Sequence, residues 1–153
     1  KGATCLILGA GGASRPLIVA LADAGAETIT IAARRPEVAS ELAAEMSTIC
    51  SGCKINQSIW PPPSNADIVV NATPIKDDPI IELSANQEVV DLAYRADGLP
   101  TALIASARAT GCKQTIDGFE FLVRQGASSF ERWTGVPAPR DVMRNAITFS
   151  DGD

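Results

Sequence analysis

Histidine is absent from the sequence. Its absence removes the side chain that enzymes use most often as a general acid or base, and also the commonest zinc ligand. Long apolar runs are absent too, since none approaches the roughly 20 residues that a membrane-spanning helix needs. The formal net charge of −5 repels nucleic acids and anionic membranes. We therefore expect neither nucleic acid nor membrane as a partner, and any phosphate site has to be built locally.

Cysteine is scarce, with four residues, and only one pair is closely spaced. Cys50 and Cys53 form a C-x-x-C pair, which needs a thioredoxin-like setting or a second ligand pair to act as a redox or metal site. Cys5 lies in a predicted core strand and Cys112 follows a glycine that ends a predicted helix, so we expect neither to join the pair. We interpret all four as free thiols in a reducing compartment, predict a cytoplasmic location and expect no metal.

The size and composition suit one folded domain. The 153 residues are 46% hydrophobic and 20% charged, with both signs mixed, which supplies apolar surface for one core and argues against disorder. The first predicted strand starts directly after Lys1 and Gly2, without an initiator methionine or a signal peptide. We therefore expect the chain to be a fragment, with a segment missing upstream.

Predicted strands and helices alternate along most of the chain. Apolar and β-branched runs predict six strands, at residues 3–8, 28–33, 54–58, 68–71, 89–92 and 114–116. Helical periodicity, with prolines near starts and glycines after ends, predicts helices at residues 11–24, 36–49, 101–110, 117–133 and 139–147. Such alternation indicates right-handed βαβ units. The predicted fold is α/β: a Rossmann-type, doubly wound parallel sheet of six strands with helices on both faces.

Three segments carry more detailed expectations. Residues 11–24 are apolar nearly all round, so we expect a buried helix there. Residues 60–64 contain three successive prolines and are expected to form a stiff loop. Asp117 is expected to cap the helix that follows it, with Glu120 as its capping-box partner three residues later.

The first predicted strand runs into a glycine-rich turn that opens a helix. The turn has the pattern G-x-G-x-x-S with small residues throughout: Gly9, Ala10, Gly11, Gly12, Ala13 and Ser14. Gly9 allows a tight turn, Gly11 lets the backbone approach a pyrophosphate, and the small residues after them let the helix pack close to the strand. The free N–H groups and positive dipole of the helix start favour phosphate. We predict a dinucleotide site here in preference to a βα turn without a ligand.

The end of the second predicted strand lacks a carboxylate. In a site for NAD, an acidic residue at that place binds the ribose 2′-hydroxyl. Arg34 and Arg35 stand there instead. Arginine stays charged and makes bidentate contacts to phosphate, which suits a 2′-phosphate. Because the dipole disfavours cations at a helix start, a bound anion explains the pair better than two solvated arginines, and NADP is predicted over NAD.

These motifs resemble the C-terminal domain of the shikimate dehydrogenase family, whose members reduce 3-dehydroshikimate with NADPH. Four stretches carry the resemblance, and together they run over most of the chain. They are the glycine turn, Ala33-Arg34-Arg35 where the family usually has Asn-Arg-Thr, Asn71-Ala72-Thr73-Pro74 at the family's Asn-Ala-Thr turn, and Asp117 to Ala127. The last stretch resembles the family's Asp-Gly-Leu-x-Met-Leu-Val-x-Gln-x-Ala helix and is the most specific of the four.

The resemblance implies roles for particular residues. It implies that Arg34 binds the 2′-phosphate of the cofactor and that the Gly118 backbone lies at the nicotinamide. It also implies that Tyr94 and Gln125 contact the substrate. Without it, Gln125 would be interpreted as a solvated helix residue and Tyr94 as the close of the fifth strand. The complete predicted cofactor-binding set is Gly9, Ala10, Gly11, Gly12, Ala13, Ser14, Arg34, Arg35, Asn71, Ala72, Thr73, Leu92 and Gly118.

The sequence departs from the family pattern at three further places near the expected site. Val38 stands where the family has a basic residue, and Arg35 is expected to replace its charge. Residues 75–78 replace the usual Val-Gly-Met after Thr-Pro, and Arg95-Ala96 stands where Asn-Pro is common. We therefore expect a remodelled rim around the nicotinamide and the substrate.

No residue of the chain is assigned a catalytic role. The catalytic Lys and Asp of the family belong to an N-terminal domain, and nothing here matches them; Lys76 is the only lysine near an expected rim. We expect residues 1–135 to form an NADP-binding domain. Residues 136–153 are expected to form a C-terminal helix and tail that packs toward a missing N-terminal catalytic domain. Carbonyl reduction needs a positioned proton donor, so we expect this chain alone to bind NADP(H) without turnover.

The leading hypothesis is the cofactor-binding part of a shikimate-dehydrogenase-like oxidoreductase that acts on a small-molecule substrate. The second is a non-catalytic nucleotide-binding or regulatory module. The third is a quinate dehydrogenase or another Rossmann reductase. Shikimate and quinate both stay open, because most substrate contacts belong to the upstream domain, and no oligomeric state is predicted.

Overall fold

A single sheet of six parallel strands organises the molecule. The computed structural model describes residues 1–147. Its strands are Thr4–Leu8 (β1), Thr28–Ala32 (β2), Lys54–Ser58 (β3), Ile68–Asn71 (β4), Glu88–Asp91 (β5) and Gln114–Ile116 (β6). All pairings are parallel, in the order β3-β2-β1-β4-β5-β6. The predicted doubly wound Rossmann fold is confirmed, and the strand order reverses between β1 and β4, where such folds bind ligands.

Helices cover the sheet on both faces. They are Ser14–Asp23 (α1), Pro36–Ile49 (α2), Ala102–Thr110 (α3), Gly118–Thr134 (α4) and Arg140–Ile147 (α5). The start of α1 comes three residues later than expected, because the glycine turn takes up the intervening backbone. The expectation of a fully buried α1 was wrong. Only Ser14 and Ile18 are buried, since a helix lying on a sheet covers one of its sides and leaves the other exposed.

The core lies in two layers, one on each face of the sheet. Alternate residues of β1 point to opposite faces: Ile7 packs with the α1 and α2 side, and Leu8 with the α3 side. Leu103 and Ile104 of α3 complete the second layer and are buried. Because β1 is covered on both faces, its carboxyl end is a rigid base for the loop that follows it.

The two helices at the carboxyl end of the chain contact each other through charged side chains. The Asp117 side chain accepts a 3.0 Å hydrogen bond from the Glu120 backbone N–H, so the predicted N-cap is present. Glu120 does not make the reciprocal bond of a capping box to the Asp117 N–H. Its carboxylate instead accepts hydrogen bonds from Arg124 and from Arg144 of α5. No residue of α5 is fully buried, and Val142 is 66% exposed.

Residues 148–153, the tail included in the predicted C-terminal segment, lie outside the described residues. Among residues 1–147, no helix combines the length and the apolar character that crossing a membrane requires.

Candidate functional site

The candidate cofactor cleft lies where β1, β2 and β4 end side by side. In the sheet register, Leu8 of β1 pairs with Ala32 of β2 on one side and with Asn71 of β4 on the other. The residues that follow these three strands must therefore leave the sheet next to one another. Together with a residue of α2 and one after β3, they form a cleft of about 240 Å³, lined by Gly9, Ala10, Gly11, Ala33, Arg34, Arg35, Val38, Trp60, Ala72, Thr73 and Pro74.

Gly9 makes the tight passage from β1 into the turn. Its φ of +112° lies in the region that side-chain-bearing residues rarely adopt, and an added Cβ would lie 3.1 Å from the carbonyl oxygen of Ala72. The N–H of Gly9 donates to Ala32 over 2.7 Å, and its carbonyl accepts from the buried Ser14 hydroxyl over 3.0 Å. Glycine is thus required here by close packing between the loops after β1 and β4, and Ser14 fixes the turn to α1.

Gly11 differs from Gly9 in what surrounds it. An added Cβ at Gly11 or Gly12 would meet no atom within 4 Å, and neither has a positive φ. Helix α1 begins beyond them with Ala13 at the N-cap, no side-chain cap and no acidic residue in its first turn. No side chain of α1 itself therefore accepts hydrogen bonds from the backbone N–H groups at this helix start or places a negative charge at the positive end of its dipole.

The paired arginines line the same cleft as the glycine turn. Arg34 and Arg35 are exposed and follow β2 after Ala33. Within residues 1–147 neither forms an ion pair, whereas Arg15 is bound to Glu45 at 2.7 Å. Arg35 is the N-cap residue of α2 and its side chain makes no capping bond, so its charge adds to the positive end of the helix dipole. This wall is cationic and has no carboxylate partner on it.

Asn71 shapes the cleft from behind its wall. Its side chain is buried, and its amide oxygen accepts from the Thr73 N–H at 2.9 Å and the Thr73 hydroxyl at 2.7 Å. Its amide nitrogen donates to Asp91 at 2.9 Å and to the carbonyl of Ile75 at 3.3 Å. All hydrogen-bonding positions of the amide are thereby used, so Asn71 fixes the turn that brings Ala72 and Thr73 to the cleft.

Asp91 lies beneath the same loops as a fully buried carboxylate. It accepts hydrogen bonds from the Thr101 hydroxyl at 2.6 Å and from the Ala93 N–H at 2.9 Å, besides that from Asn71. Burial raises the pKa of Asp91, and these hydrogen bonds oppose that effect. Thr101 in turn caps α3 by accepting from the Ile104 N–H. Asp91 thus ties β4, the loop after β5 and the start of α3 together.

A second, smaller cavity of about 50 Å³ lies beside the loop after β5, with Tyr94 and Gly118 among its lining residues. Gly118 is buried at the start of α4, and an added Cβ would lie 2.4 Å from the Ala93 carbonyl oxygen. The rings of Tyr94 and Phe119 have centroids 5.1 Å apart, and Lys76 Nζ lies 5.9 Å from the Tyr94 ring centroid. This arrangement places Lys76 at the rim where the sequence suggested it.

The remaining predicted site residues, Leu92, Ala13 and Gln125, line neither cavity. Leu92 is half-buried, and its N–H donates to the Asn71 carbonyl at 2.9 Å. Ala13 is exposed at the start of α1. Gln125 is exposed on α4, two helical turns after Gly118 and therefore on the same side of the helix, and it lines neither cavity. The structure thus brings Gly9, Ala10, Gly11, Arg34, Arg35, Ala72 and Thr73 together in the cleft, and Tyr94 and Gly118 in the smaller cavity.

The two departures noted at the rim contact each other. Arg95 pairs with Asp97 at 2.7 Å and also with Asp77, so residues 75–78 are fastened to the loop after β5. The Arg95 guanidinium lowers the pKa of Asp97 by hydrogen bonding to its carboxylate. Because both replaced segments take part in one ion-pair cluster, they form a single structural change at the rim.

Comparison with known proteins assigns the chain to a family. The family model for shikimate/quinate 5-dehydrogenase matches residues 1–99, and that for the shikimate 5′-dehydrogenase C-terminal domain matches residues 118–148. The chain belongs to the shikimate/quinate 5-dehydrogenase family. The resemblance inferred from four sequence stretches is confirmed.

Relatives within the family are dehydrogenases of about twice this length. A shikimate dehydrogenase (NADP(+)) of Methanocella arvoryzae is 45% identical over 150 residues, which are 92% of this chain and 54% of that protein. A shikimate dehydrogenase (NADP(+)) of Halobacterium salinarum is 40% identical over 155 residues, which are 96% of this chain and 55% of that protein. The chain therefore spans about half the length of the curated relatives it matches.

Solved structures of several named enzymes share the fold. A 5-ketofructose reductase of Gluconobacter sp. strain CHM43 aligns with a TM-score of 0.82 and 34% identity, covering 94% of this chain and 55% of that one. A quinate dehydrogenase from Corynebacterium glutamicum, solved in complex with NAD, aligns with a TM-score of 0.77 and 25% identity, covering 95% and 54%. Proteins that share this domain thus carry names with different substrates.

The cysteines of this family member lie away from the cleft. All four are free, and burial raises the pKa of Cys5 to about 11. The pKa values of Cys53 and Cys112 are also raised, mainly by burial, so both favour the thiol form. Within residues 1–147, no three His, Cys, Asp or Glu side chains are grouped so as to hold a metal ion.

Trp60 is a cleft residue that the sequence motifs did not reveal. It is the second residue after the end of β3, and it lines the cleft together with Val38 and Pro74. The carboxyl-end rule for parallel strands contains the signal that could have found it, because residues after β3 border the same edge as those after β1 and β2. The interpretation as a stiff proline loop concealed this.

Proposed function

We propose that this chain is the NADP(H)-binding domain of a shikimate-dehydrogenase-like oxidoreductase, which interconverts 3-dehydroshikimate and shikimate. One observation carries the proposal: Arg34 and Arg35, without carboxylate partners among the described residues, line the same cleft as the glycine turn. A helix start and two guanidiniums then face one space, which suits a ligand with both a pyrophosphate and a further phosphate. The names of curated relatives, shikimate dehydrogenase (NADP(+)), support the same cofactor and substrate.

The glycine turn fits a pyrophosphate. Gly11 and Gly12 leave open space where a Cβ would stand, and no packing inside the chain requires glycine at either position. A phosphate at the start of α1 would accept from backbone N–H groups and lie at the positive end of the helix dipole. We assign the pyrophosphate to Gly11, Gly12 and the residues around them, Ala10 and Ala13, with Gly9 and Ser14 holding the turn.

The arginine wall fits a 2′-phosphate on the adenosine ribose. The end of β2 offers no carboxylate for a 2′-hydroxyl, so NAD lacks its usual partner here. Guanidinium groups bind phosphate through parallel N–H···O bonds and stay charged at any physiological pH. We assign Arg34 and Arg35 to this phosphate. Ala72 and Thr73, positioned by Asn71, form the facing wall.

The smaller cavity suits the reacting end of the site. The cofactor, when bound, supplies a hydride from its nicotinamide ring to a carbonyl carbon or accepts one from an alcohol. Gly118 lines this cavity, and its lack of a side chain lets the start of α4 lie against the backbone of Leu92 and Ala93. We assign Leu92 and Gly118 to the nicotinamide side, and Tyr94 and Gln125 to the substrate side.

The catalytic acid is proposed to come from another domain. Residues 1–135 are proposed as the cofactor-binding unit, and the segment from residue 136 as the part that packs toward an N-terminal catalytic domain. The large apolar side chains Trp133, Val136 and Val142 are 83%, 52% and 66% exposed, which supports a covering partner for this end of the chain. The free thiols support a reducing, cytoplasmic location.

The proposed function is tested by comparing the affinity of this chain for NADPH and for NADH, by calorimetry. We expect NADPH to bind more tightly, and Arg34→Ala and Arg35→Ala each to weaken NADPH binding about 10- to 100-fold, the range for a lost hydrogen bond to a charged group. Arg132→Ala is the matched control, because Arg132 is also exposed but lies in the last turn of α4 and lines neither cavity. Equal affinities for the two cofactors would refute the assignment to NADP.

The identity of the substrate is tested on the full-length protein with shikimate and quinate, which are alcohols, in the presence of NADP+, and with 5-ketofructose, which is a ketone, in the presence of NADPH. We expect shikimate to be used with the highest kcat/KM. The remodelled rim formed by Arg95, Asp77 and Asp97 is the feature of this chain that favours testing a ketose, given the 5-ketofructose reductase among the structural relatives. A higher kcat/KM for another compound of this panel would refute shikimate as the substrate, while the assignment to the family would stand.

A further inference from the structure

Trp60 is held at the cleft by packing from behind. It is half-buried, and it packs against the core layer that includes Leu8 and Val69 on the α3 side of the sheet. The same residue lines the cofactor cleft with Arg34 and Thr73. A large residue that packs against the core and also borders a cleft is held in place as a wall for a ligand.

Trp60 is also the only aromatic residue that lines this cleft in the part of the chain that the structure describes. The other lining groups divide into the two guanidiniums, backbone of the two turns, and small or aliphatic side chains such as Val38 and Pro74. The cleft therefore offers phosphate-binding groups at one side and an apolar, aromatic surface next to them. A purine with apolar faces, joined to a phosphorylated ribose, matches this division.

We propose that Trp60 is the adenine-binding wall of the cofactor site and contributes to the affinity for the adenosine 2′-phosphate half of the cofactor. The inference rests on the proposed function, since Arg34 and Arg35 have to hold the 2′-phosphate. The adenine is attached to the same ribose as that phosphate, so it must lie close to the arginine wall. Within the cleft, the indole of Trp60 is the aromatic surface available there. Contact of a base with an aromatic side chain tolerates many ring orientations because every base has a π face.

The decisive probe is 2′,5′-ADP, which carries the adenine, the ribose and the 2′-phosphate but no nicotinamide. We expect Trp60→Leu to weaken its binding about 5- to 100-fold, the range that corresponds to loss of one base–aromatic contact. Trp60→Phe should retain most of the affinity, because the aromatic face is kept. Trp133→Leu is the matched control, since the chain has two tryptophans and Trp133 is 83% exposed and does not line the cleft.

A spectroscopic measurement covers the case in which Trp60→Leu disturbs folding. In the Trp133→Phe variant, Trp60 is the sole tryptophan, and its fluorescence should change on addition of 2′,5′-ADP with the same midpoint as the calorimetric titration. Unchanged fluorescence at saturation, or Trp60→Leu binding as tightly as the parent, overturns the inference while leaving the proposed function intact. Failure of the parent chain to bind 2′,5′-ADP would overturn both.

Discussion

The carboxylate of Asp91 accepts a 2.9 Å hydrogen bond from the side-chain amide of Asn71, and both side chains are fully buried. The two residues end neighbouring strands and pair with each other in the sheet register. Asn71 then holds Thr73, and Asp91 holds Thr101, so one buried pair fixes the wall of the cleft and the start of α3. The position of cofactor-cleft residues thus depends on a carboxylate that does not line the cleft.

Replacing Asp91 should destabilise the chain more than removal of a surface acid. Asp91→Ala leaves the buried Asn71 amide and Thr101 hydroxyl, and also the Ala93 N–H, without their acceptor. At about 1–3 kcal/mol for each buried unsatisfied group, the loss for Asn71 and Thr101 alone is about 2–6 kcal/mol. The free energy of unfolding is measured by urea denaturation. Asp23→Ala is the control, because Asp23 is exposed on α1. Equal stability of the two variants would contradict a structural role for the buried pair.

Sequence patterns predicted the sheet well because its determinants are local. Each strand is a short apolar or β-branched run, and the range of β3, residues 54–58, was predicted without error. The right-handed βαβ rule sets the hand of each crossover, and the doubly wound arrangement was inferred from the two βαβ halves. The glycine turn and the arginines were also predicted to meet, because both follow strands that the fold places side by side.

The contacts that sequence patterns did not predict are those between distant segments. Glu120 has the spacing of a capping-box partner, but its carboxylate accepts a hydrogen bond from Arg144, 24 residues later. Asn71 was assigned to the cofactor by resemblance, and only the structure shows its amide fully used, partly by Asp91 20 residues away. Local spacing says which bond is available, whereas tertiary packing determines which competing partner is present.

Gly118 should tolerate no side chain, in contrast to another glycine of the same helix. In Gly118→Ala the new Cβ would lie 2.4 Å from the Ala93 carbonyl oxygen, so backbone must move, and overpacking of this kind costs about 1–3 kcal/mol. Gly126→Ala is the matched control on α4. Its new Cβ meets nothing within 4 Å, and replacing glycine by alanine inside a helix stabilises by about 0.5–1 kcal/mol. Urea denaturation should therefore give shifts of opposite sign; shifts of the same sign would refute the close approach at Ala93.

Acidification should loosen α5 from α4. Hydrogen bonding to Arg124 and Arg144 lowers the pKa of Glu120 below its ordinary 4.5. A carboxyl group whose pKa is lower in the folded state stabilises that state fully when the pH is above the ordinary pKa. This stabilisation is lost as the pH falls through the lowered, folded-state pKa. Protection of the α5 amides against hydrogen exchange, corrected for intrinsic rates, should decrease over that acid range. In Glu120→Gln the decrease should be absent, and its persistence would assign the effect to another group.

The isolated chain should bind NADPH without oxidising it in the presence of 3-dehydroshikimate. Carbonyl reduction needs a positioned proton donor, and the chain has no histidine. Lys76, the lysine at the rim, lies over the Tyr94 ring. The loss of NADPH absorbance is measured with and without substrate, and Lys76→Ala serves as control. Appreciable turnover that Lys76→Ala abolishes would show that this chain carries its own acid and would refute the proposed division between two domains.

Two glycines of the same turn should separate folding from binding. Gly9→Ala should destabilise the chain, because its φ of +112° is strained for alanine and the new Cβ would lie 3.1 Å from the Ala72 carbonyl oxygen. Gly11→Ala should unfold at the same urea concentration as the parent, since the new Cβ meets no protein atom within 4 Å. The methyl group would nevertheless occupy space assigned to the pyrophosphate, so NADPH binding should fall about tenfold or more, the effect of losing about 1.4 kcal/mol. If Gly11→Ala binds NADPH with parental affinity, the pyrophosphate does not approach this backbone, and the cofactor has to enter the cleft from the arginine side alone.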